Sequence, residues 1–231
     1  MKRYISNIPN LEIYVDEEDC VIIFKDKLEC LSNAAINGGR LKTDSIVNHH
    51  VSLDFDHKNF EKILIPVKKK FNLSNSTIGL LTAVEMNDIV LINEKVNNID
   101  YIIVLAAGLT NTSAPNIDDL DIIKIDNNLS NKPGTINIIL IINGKLKEHT
   151  IVNLFITITE AKTLLLNKLG VRTSDGRLAT GTSTDTIVVG YTDNGQLIEW
   201  SGYATEFGQS IGQSVFKALK KALSKEININ K

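Results

Sequence analysis

The sequence predicts a mixed α/β (α+β) fold, a mixed β-sheet packed with about three helices, in a single domain over residues 1–231. Three observations lead there. Apolar runs of strand length recur, as at Tyr101 to Ala107 and Ile138 to Ile142. Two long stretches, 148–169 and from 205 onward, carry apolar residues at helical spacing. Strands and helices do not alternate strictly, which favours a mixed sheet over a purely parallel one.

Taken in order, Leu11 to Val15 and Val21 to Phe24 predict strands separated by an acidic turn, Asp16 to Asp19. A glycine-bearing loop, Ser32 to Gly39, leads to an apolar–polar stretch from Ser45 to Ser52. Phe60, Ile63, Leu64, Val67 and Phe71 predict a helix over 57–71, kinked or split at Pro66. Three strands follow at Thr77 to Val84, Ile89 to Asn93 and Tyr101 to Leu105. Residues 116–132 are acidic and Asn-rich, as expected of a surface excursion.

Thr135 to Ile142 predicts a further strand, closed by a turn at Asn143-Gly144. A long helix from about Glu148 to Leu169 ends at Gly170, a C-cap residue by type. Asp193-Asn194-Gly195 between Ile187–Thr192 and Gln196–Trp200 predicts a hairpin. The last helix takes Thr205 as N-cap and buries Phe207, Ile211, Val215, Ala218 and Ala222, with Gly208 and Gly212 permitting close approach of a neighbour.

The composition narrows the function classes. The 25 basic and 27 acidic residues are interspersed for a net charge of −2, which gives no general drive toward nucleic acid or anionic membrane. No stretch reaches the ~20 apolar residues that span a bilayer, and the N-terminus lacks a signal-peptide core, so the expectation is a cytoplasmic protein without membrane insertion. Cys20 and Cys30 form no CxxC pattern and predict reduced, half-buried thiols. Phosphate-loop, dinucleotide-binding, HExxH and GxSxG motifs are absent from the sequence.

Four places combine small and polar residues beyond what a plain core needs: Asn37-Gly38-Gly39 with Asn48-His49-His50, then 106–111, 133–137 and 179–185. Adjacent histidines on an extended segment point to opposite faces, so at most one addresses a given pocket. The Gly181 to Asp185 loop has two readings: an oxyanion-binding loop with Asp185 as acid, base or orienter, or a turn whose aspartate bonds local backbone. On the long helix, His149, Asn153, Thr157, Glu160, Thr163 and Asn167 form a polar stripe, either lining a cleft or facing solvent. Lys162 lies well around the helix from Glu160 and is not placed to pair with it.

Taken together, these segments resemble the adenosylcobinamide amidohydrolase family. The matching blocks are LSNAAINGG at 31–39, VNHHV at 47–51, GLLTAV at 79–84, AAGLTN at 106–111, PGTINIILIING at 133–144, VNLFITITEAKTLLL at 152–166, LATGTSTD at 178–185 and YATEFGQSIG at 203–212. They keep the family's order and cover most of the chain from residue 30 onward. The family pattern carries Gln where His50 stands, Gly where Ser183 stands and Lys where Glu206 stands.

The resemblance implies hydrolysis of the amide joining aminopropanol to a corrin propionate, yielding adenosylcobyric acid for cobamide salvage or remodelling. The corrinoid is then the substrate partner and no catalytic cofactor is required; the metal requirement and oligomeric state are left open. A non-catalytic corrinoid-binding protein for uptake or storage is the alternative. An amide is a poor electrophile, so a proton-transfer group is needed for water and for the departing amine. His49 matches the motif's histidine and suits both roles, because an imidazole titrates close to neutrality. Asp185 or Glu160 would orient it or act as base. Thr182 or Thr184 is the covalent alternative, ranked below direct water attack. A metal on His49, Glu160 and Asp185 would satisfy ligand chemistry without any spacing pattern to support it. Asn37, Gly38, Gly39, Asn48, Thr82, Asn111, Thr135, Asn137, Thr182 and Thr184 complete the expected substrate-binding set.

Overall fold

The computed structural model describes residues 1–52, 55, 60, 62–115, 134–225 and 227. The expected excursion at 116–132 and the start of the expected helix at 57–59 lie outside them. In chain order the elements are β1 (Lys2–Ile5), β2 (Leu11–Val15), β3 (Asp19–Ser32), β4 (Gly39–His50), α1 (Ile65–Phe71), β5 (Ile78–Thr82), β6 (Val90–Val96), β7 (Ile99–Ala107) and β8 (Thr112–Ser113). They continue with β9 (Ile136–Ile142), β10 (Lys145–Leu146), α2 (Glu148–Lys168), β11 (Gly181–Thr182), β12 (Thr186–Tyr191), β13 (Leu197–Ile198) and α3 (Glu206–Leu223).

The predicted α+β class is what forms: one nine-stranded mixed sheet carrying three helices. Its order is β1-β2-β3-β12-β9-β7-β6, with β4 paired to both β3 and β5. β3 makes this possible by being long and irregular. Its first half lies between β2 and β4, its second half between β12 and β4, and its register with β4 shifts between Ile23 and Leu28. Such an irregularity bends a strand and increases its twist. The sheet therefore curls, and its inner face packs on itself: Ile13, Ile22 and Ile46 from the N-terminal strands meet Ile102, Val104 and Ile139.

The outer face is covered on two sides. Over β6, β7, β9 and β12 lie α2 and α3, which bury Leu154, Ile158, Leu165, Ile211 and Val215 against Ile103, Leu105, Ile138 and Leu140. Over β3 and β4 lies α1, where Leu64 and Val67 meet Val21, Ile36 and Val47. β9 is buried at every position, which is why its sequence shows no alternation.

Helix ends follow the expected chemistry. Thr205 caps α3 by accepting from the Gly208 N–H at 3.0 Å, and Gly170 follows α2 at φ +65°. At Gly208 a Cβ would collide with the Ser201 and Gly202 carbonyls, and at Gly212 it would lie 2.5 Å from the Tyr203 ring. The expected close approach is thus the strap at 201–203.

Pro66 lies in the first turn of α1, which begins at Ile65 after a turn at Ile63 and Leu64, so the described part of the helical run expected over 57–71 is interrupted just before it. Two expectations need correction. The segments around Asp193-Asn194-Gly195 do not form a hairpin: β12 is occupied on both edges by β3 and β9, so β13 pairs parallel with β10 instead. The thiols are not half-buried: Cys20 and Cys30 are free and 0% and 2% exposed. Among the described residues, no helix is long and apolar enough to cross a membrane.

Candidate functional site

The small and polar blocks meet at one margin of the curled sheet. There β4, β5 and β7 end while β9 and β12 begin. Strand alternation sorts their side chains between the two faces. Asn48 follows Ile46 on the inner face, and His50 follows Asn48; Val47 and His49 face outward toward α1.

On the inner face a buried amide pair closes the curl. Asn137, 0% exposed, donates from Nδ2 to Asn48 Oδ1 at 2.9 Å and to the Leu81 carbonyl at 3.0 Å. The Thr135 hydroxyl donates to Asn137 Oδ1 at 3.2 Å and to the Thr184 carbonyl at 2.8 Å. Thr184 in turn donates to the Gly134 carbonyl at 3.0 Å, and Asn111 donates to Ser183 Oγ at 2.9 Å and Thr184 Oγ1 at 3.3 Å. Thr82 stands opposite His50 in register and accepts from the Val84 N–H. His50 Nδ1 is hydrogen-bonded to the Val84 carbonyl at 3.1 Å. These contacts bring Asn48, Thr82, Asn111, Thr135, Asn137 and Thr184 together.

On the helix-covered face, Asp185 organises the loop ahead of β12. Its Oδ1 accepts from the Ile136 N–H, the Thr182 N–H and the Thr182 hydroxyl at 3.1, 3.1 and 2.5 Å. Its Oδ2 accepts from Lys162 of α2. A Cβ at Gly181 would collide with that carboxylate and lie 2.7 Å from Lys162 Nζ, so glycine is what lets the loop close over the pair. Asn33 holds the same loop from β3's end, donating to the Asp185 carbonyl at 2.8 Å and accepting from the Ile187 N–H at 2.7 Å. With four donors on its two oxygens, Asp185 is engaged as an organiser of the loop.

On the outer face, His49 Nδ1 is hydrogen-bonded to Asp19 Oδ1 at 2.7 Å, with side chains 14% and 7% exposed. Asp19 stands opposite His49 in the β3–β4 register. The acidic turn before it is tied down: Asp16 Oδ1 accepts from the Glu18 and Asp19 N–H groups, and Lys70 of α1 reaches Asp16 Oδ2 at 2.5 Å. Burial pushes the Asp16 carboxyl upward, but the Lys70 and backbone hydrogen bonds outweigh it and hold the group below its ordinary range.

Other predicted residues fall elsewhere. Asn37, at φ +55°, donates to the Asn75 and Thr77 carbonyls and so holds the 33–39 loop on its neighbour; Gly38 fits tightly over Ala34 and Gly39 takes φ +89°. Glu160 is exposed on α2 and bonds neither His49 nor Asp185. The polar stripe of α2 is covered along its first half and exposed at Glu160. The strap at 198–203 covers it: His149 and Thr150 bond the Glu199 carbonyl, Thr157 the Ser201 carbonyl, and the Tyr203 hydroxyl the Thr157 carbonyl. Glu206 accepts from Asn97 in the β6–β7 turn, at the opposite end of the sheet from the clustered blocks. Among the described residues no three imidazole, thiol or carboxylate groups gather as a metal site. Open concavities of about 620 and 470 Å³ run along β1–β2 and beside the Asp16–Glu18 turn, lined by no clustered motif residue.

Three residues of this margin escaped the sequence reading. Asp19 lies outside the matching blocks, in what reads as a plain acidic turn. Asn33 sits inside the first block but carries no sign of its reach. Lys162 did leave a signal: it interrupts the apolar face of α2 between Ile158, Ala161 and Leu165, where only a partnered charge is tolerated.

Comparison with known proteins agrees with the blocks. The model of the adenosylcobinamide amidohydrolase family matches residues 5–231. A Methanosarcina mazei protein named adenosylcobinamide amidohydrolase is 32% identical over 204 residues, covering 84% of this chain and 89% of that one. An uncharacterized Methanocaldococcus jannaschii protein is 30% identical over 226 residues, covering 90% and 86%. A solved Pyrococcus horikoshii structure overlaps at a TM-score of 0.39 with 13% identity over 99% of this chain and 80% of that one, too distant to bear on fold or function. With a family match over nearly the whole chain and a relative above 30% identity, this chain belongs to the adenosylcobinamide amidohydrolase family.

Proposed function

We propose that this chain hydrolyses the amide between aminopropanol and a corrin propionate of adenosylcobinamide, releasing adenosylcobyric acid for cobamide salvage or remodelling. Family membership supports the reaction class. The structural observation that carries the reading is His49: its Nδ1 is held by a carboxylate, while no partner for Nε2 is found among the described residues. Nε2 is therefore the atom that takes a proton from the attacking water. The same atom returns the proton to the departing aminopropanol nitrogen, so the cycle leaves the imidazole unchanged.

The inner-face network lies across the sheet from His49 and supports the strand ends that carry it. Asn48, Thr135 and Asn137 spend their hydrogen bonds on one another and fix the strand ends. Asn111, Ser183 and Thr184 stand at the rim, where they meet peripheral amides of a wide apolar ring. Asp185 holds Thr182 and the loop in place, and its four donors favour that role over proton abstraction. The route needs no resident cofactor, since the corrinoid is the substrate.

The test is incubation of purified protein with adenosylcobinamide, with and without chelator, followed by mass spectrometry for adenosylcobyric acid. Product from the wild type and a loss of at least about 100-fold in kcat for His49→Ala, with an unchanged melt, support the reading. Tight binding without product would shift the assignment to corrinoid binding, and chelator sensitivity would add a metal to the mechanism.

A further inference from the structure

We infer that Asp19 is the positioning residue for His49, fixing the imidazole's tautomer and stabilising the imidazolium formed as water attacks. This rests on the amidohydrolase reading and on His49 as its proton-transfer group. The carboxylate is nearly sequestered, with its side chain 7% exposed, and its one side-chain partner among the described residues is the His49 ring at 2.7 Å. Burying an unpaired carboxylate costs several kcal/mol, and an apolar pair would fill the same space at no such cost. A carboxylate retained there is explained by the charge it offers a neighbour.

The geometry sets the tautomer. An ionised carboxylate only accepts, so Nδ1 must carry the hydrogen and Nε2 must present its lone pair. The adjacent ring is an internal contrast. His50 Nδ1 is held by the Val84 carbonyl at 3.1 Å, which orients a ring but brings no negative charge to an imidazolium. Of two neighbouring histidines on one strand, His49 is the one with a counter-charge among the described residues.

Asp19 is also stiff. The Asp16 N–H donates to the Asp19 carbonyl at 3.0 Å, while Asp16 Oδ1 accepts from the Asp19 N–H at 2.9 Å. The His50 N–H donates to the Glu18 carbonyl at 2.7 Å, and Lys70 grips Asp16 from α1. Among the described residues, the charged groups around the dyad are thus Asp16 and Glu18 from the turn and Lys70 from α1. An aspartate whose backbone is pinned in this way keeps the imidazole aimed without reorganising during the reaction.

The experiment combines kinetics with ¹⁵N NMR of the histidine ring nitrogens, on the full chain with adenosylcobinamide as substrate. For Asp19→Asn, kcat should fall by at least about 100-fold while KM stays within about threefold, and Asp19→Glu should recover part of the loss. The neutral His49 ring should carry its hydrogen on Nδ1 in the wild type and lose that preference in Asp19→Asn. Retained kcat in Asp19→Asn beside an inactive His49→Ala would overturn the inference and leave the amidohydrolase reading standing. A wild-type ring protonated on Nε2 would overturn it too. Absence of wild-type turnover would defeat the underlying reading, and the ring tautomer would still report whether Asp19 orients His49. Should Asp19→Asn melt early, Asp19→Glu and the wild-type spectrum still decide.

Discussion

Lys162 and Asp185 form an ion pair between α2 and the loop ahead of β12, with side chains 8% and 13% exposed. Two charges so far from water are strongly destabilising when separated, though less valuable than they look relative to an apolar pair. Lys162→Met should therefore cost about 3 kcal/mol, because Asp185 keeps its three other donors but loses its counter-ion. The double variant Lys162→Met/Asp185→Asn should cost less than the two single losses added together. Urea unfolding with unchanged slopes checks this; strict additivity would mean the pair carries no coupling.

Gly181 closes over that pair, and Ala has no room there. Gly181→Ala should cost about 1–3 kcal/mol through displacement of the Asp185 carboxylate and Lys162 ammonium. In Lys162→Met the same substitution should cost less. A Gly181→Ala protein as stable as the wild type would show that the loop yields freely.

The Asn48–Asn137 pair makes a different kind of prediction. Removing one amide strands the other in a buried, dry place, so Asn137→Ala should lose about 1–3 kcal/mol. Replacing both by Leu removes the stranded group and should recover part of that loss. Chemical denaturation of the two variants tests it; a double variant weaker than both singles would argue that the Leu81 and Thr135 bonds matter more than the pair.

Both thiols sit inside the curl, and burial pushes each pKa up from 9.0 to about 12. A raised folded-state value means the native protein holds its proton where the unfolded chain has lost it. The stabilisation is therefore complete below pH ~9 and is lost as pH rises toward ~12. Each thiol adds about 1.4 kcal/mol per pH unit to the decline across that window. Cys20 and Cys30 should resist a disulfide reagent in the native state and both react in denaturant, and each Cys→Ala change should flatten the alkaline slope. Rapid native labelling would contradict the burial.

Gly212 meets the Tyr203 ring, whose hydroxyl donates to the Thr157 carbonyl at 2.8 Å. Gly212→Ala should displace the ring, lower the melting temperature by a few degrees for about 1–2 kcal/mol, and expose Tyr203 to solvent quenching. An unchanged melt would mean that the strap at 201–203 shifts without cost.

Much of this was legible in the residues themselves. The apolar stretches at 101–107 and 138–142 became buried strands because length and composition leave no other place for them. The stripe ending at Gly170 and the cap at Thr205 set α2 and α3, since capping and helical spacing are local properties. The alternation at Asn48-His49-His50 already required the two rings to face apart. Local chemistry misled at Asp193-Asn194-Gly195, where the chain bends but no hairpin forms, because β9 and β3 hold both edges of β12.

What only the tertiary structure decided is which distant groups meet. Asp19 pairs with His49 across 30 residues because the β3–β4 register sets them opposite, and Lys162 pairs with Asp185 across 23 because α2 lies beside the loop ahead of β12. Periodicity assigns a side chain to a face of its own element. Strand register and the packing of helix on sheet determine what that face meets, and both are set among segments far apart in the chain, which no single segment encodes.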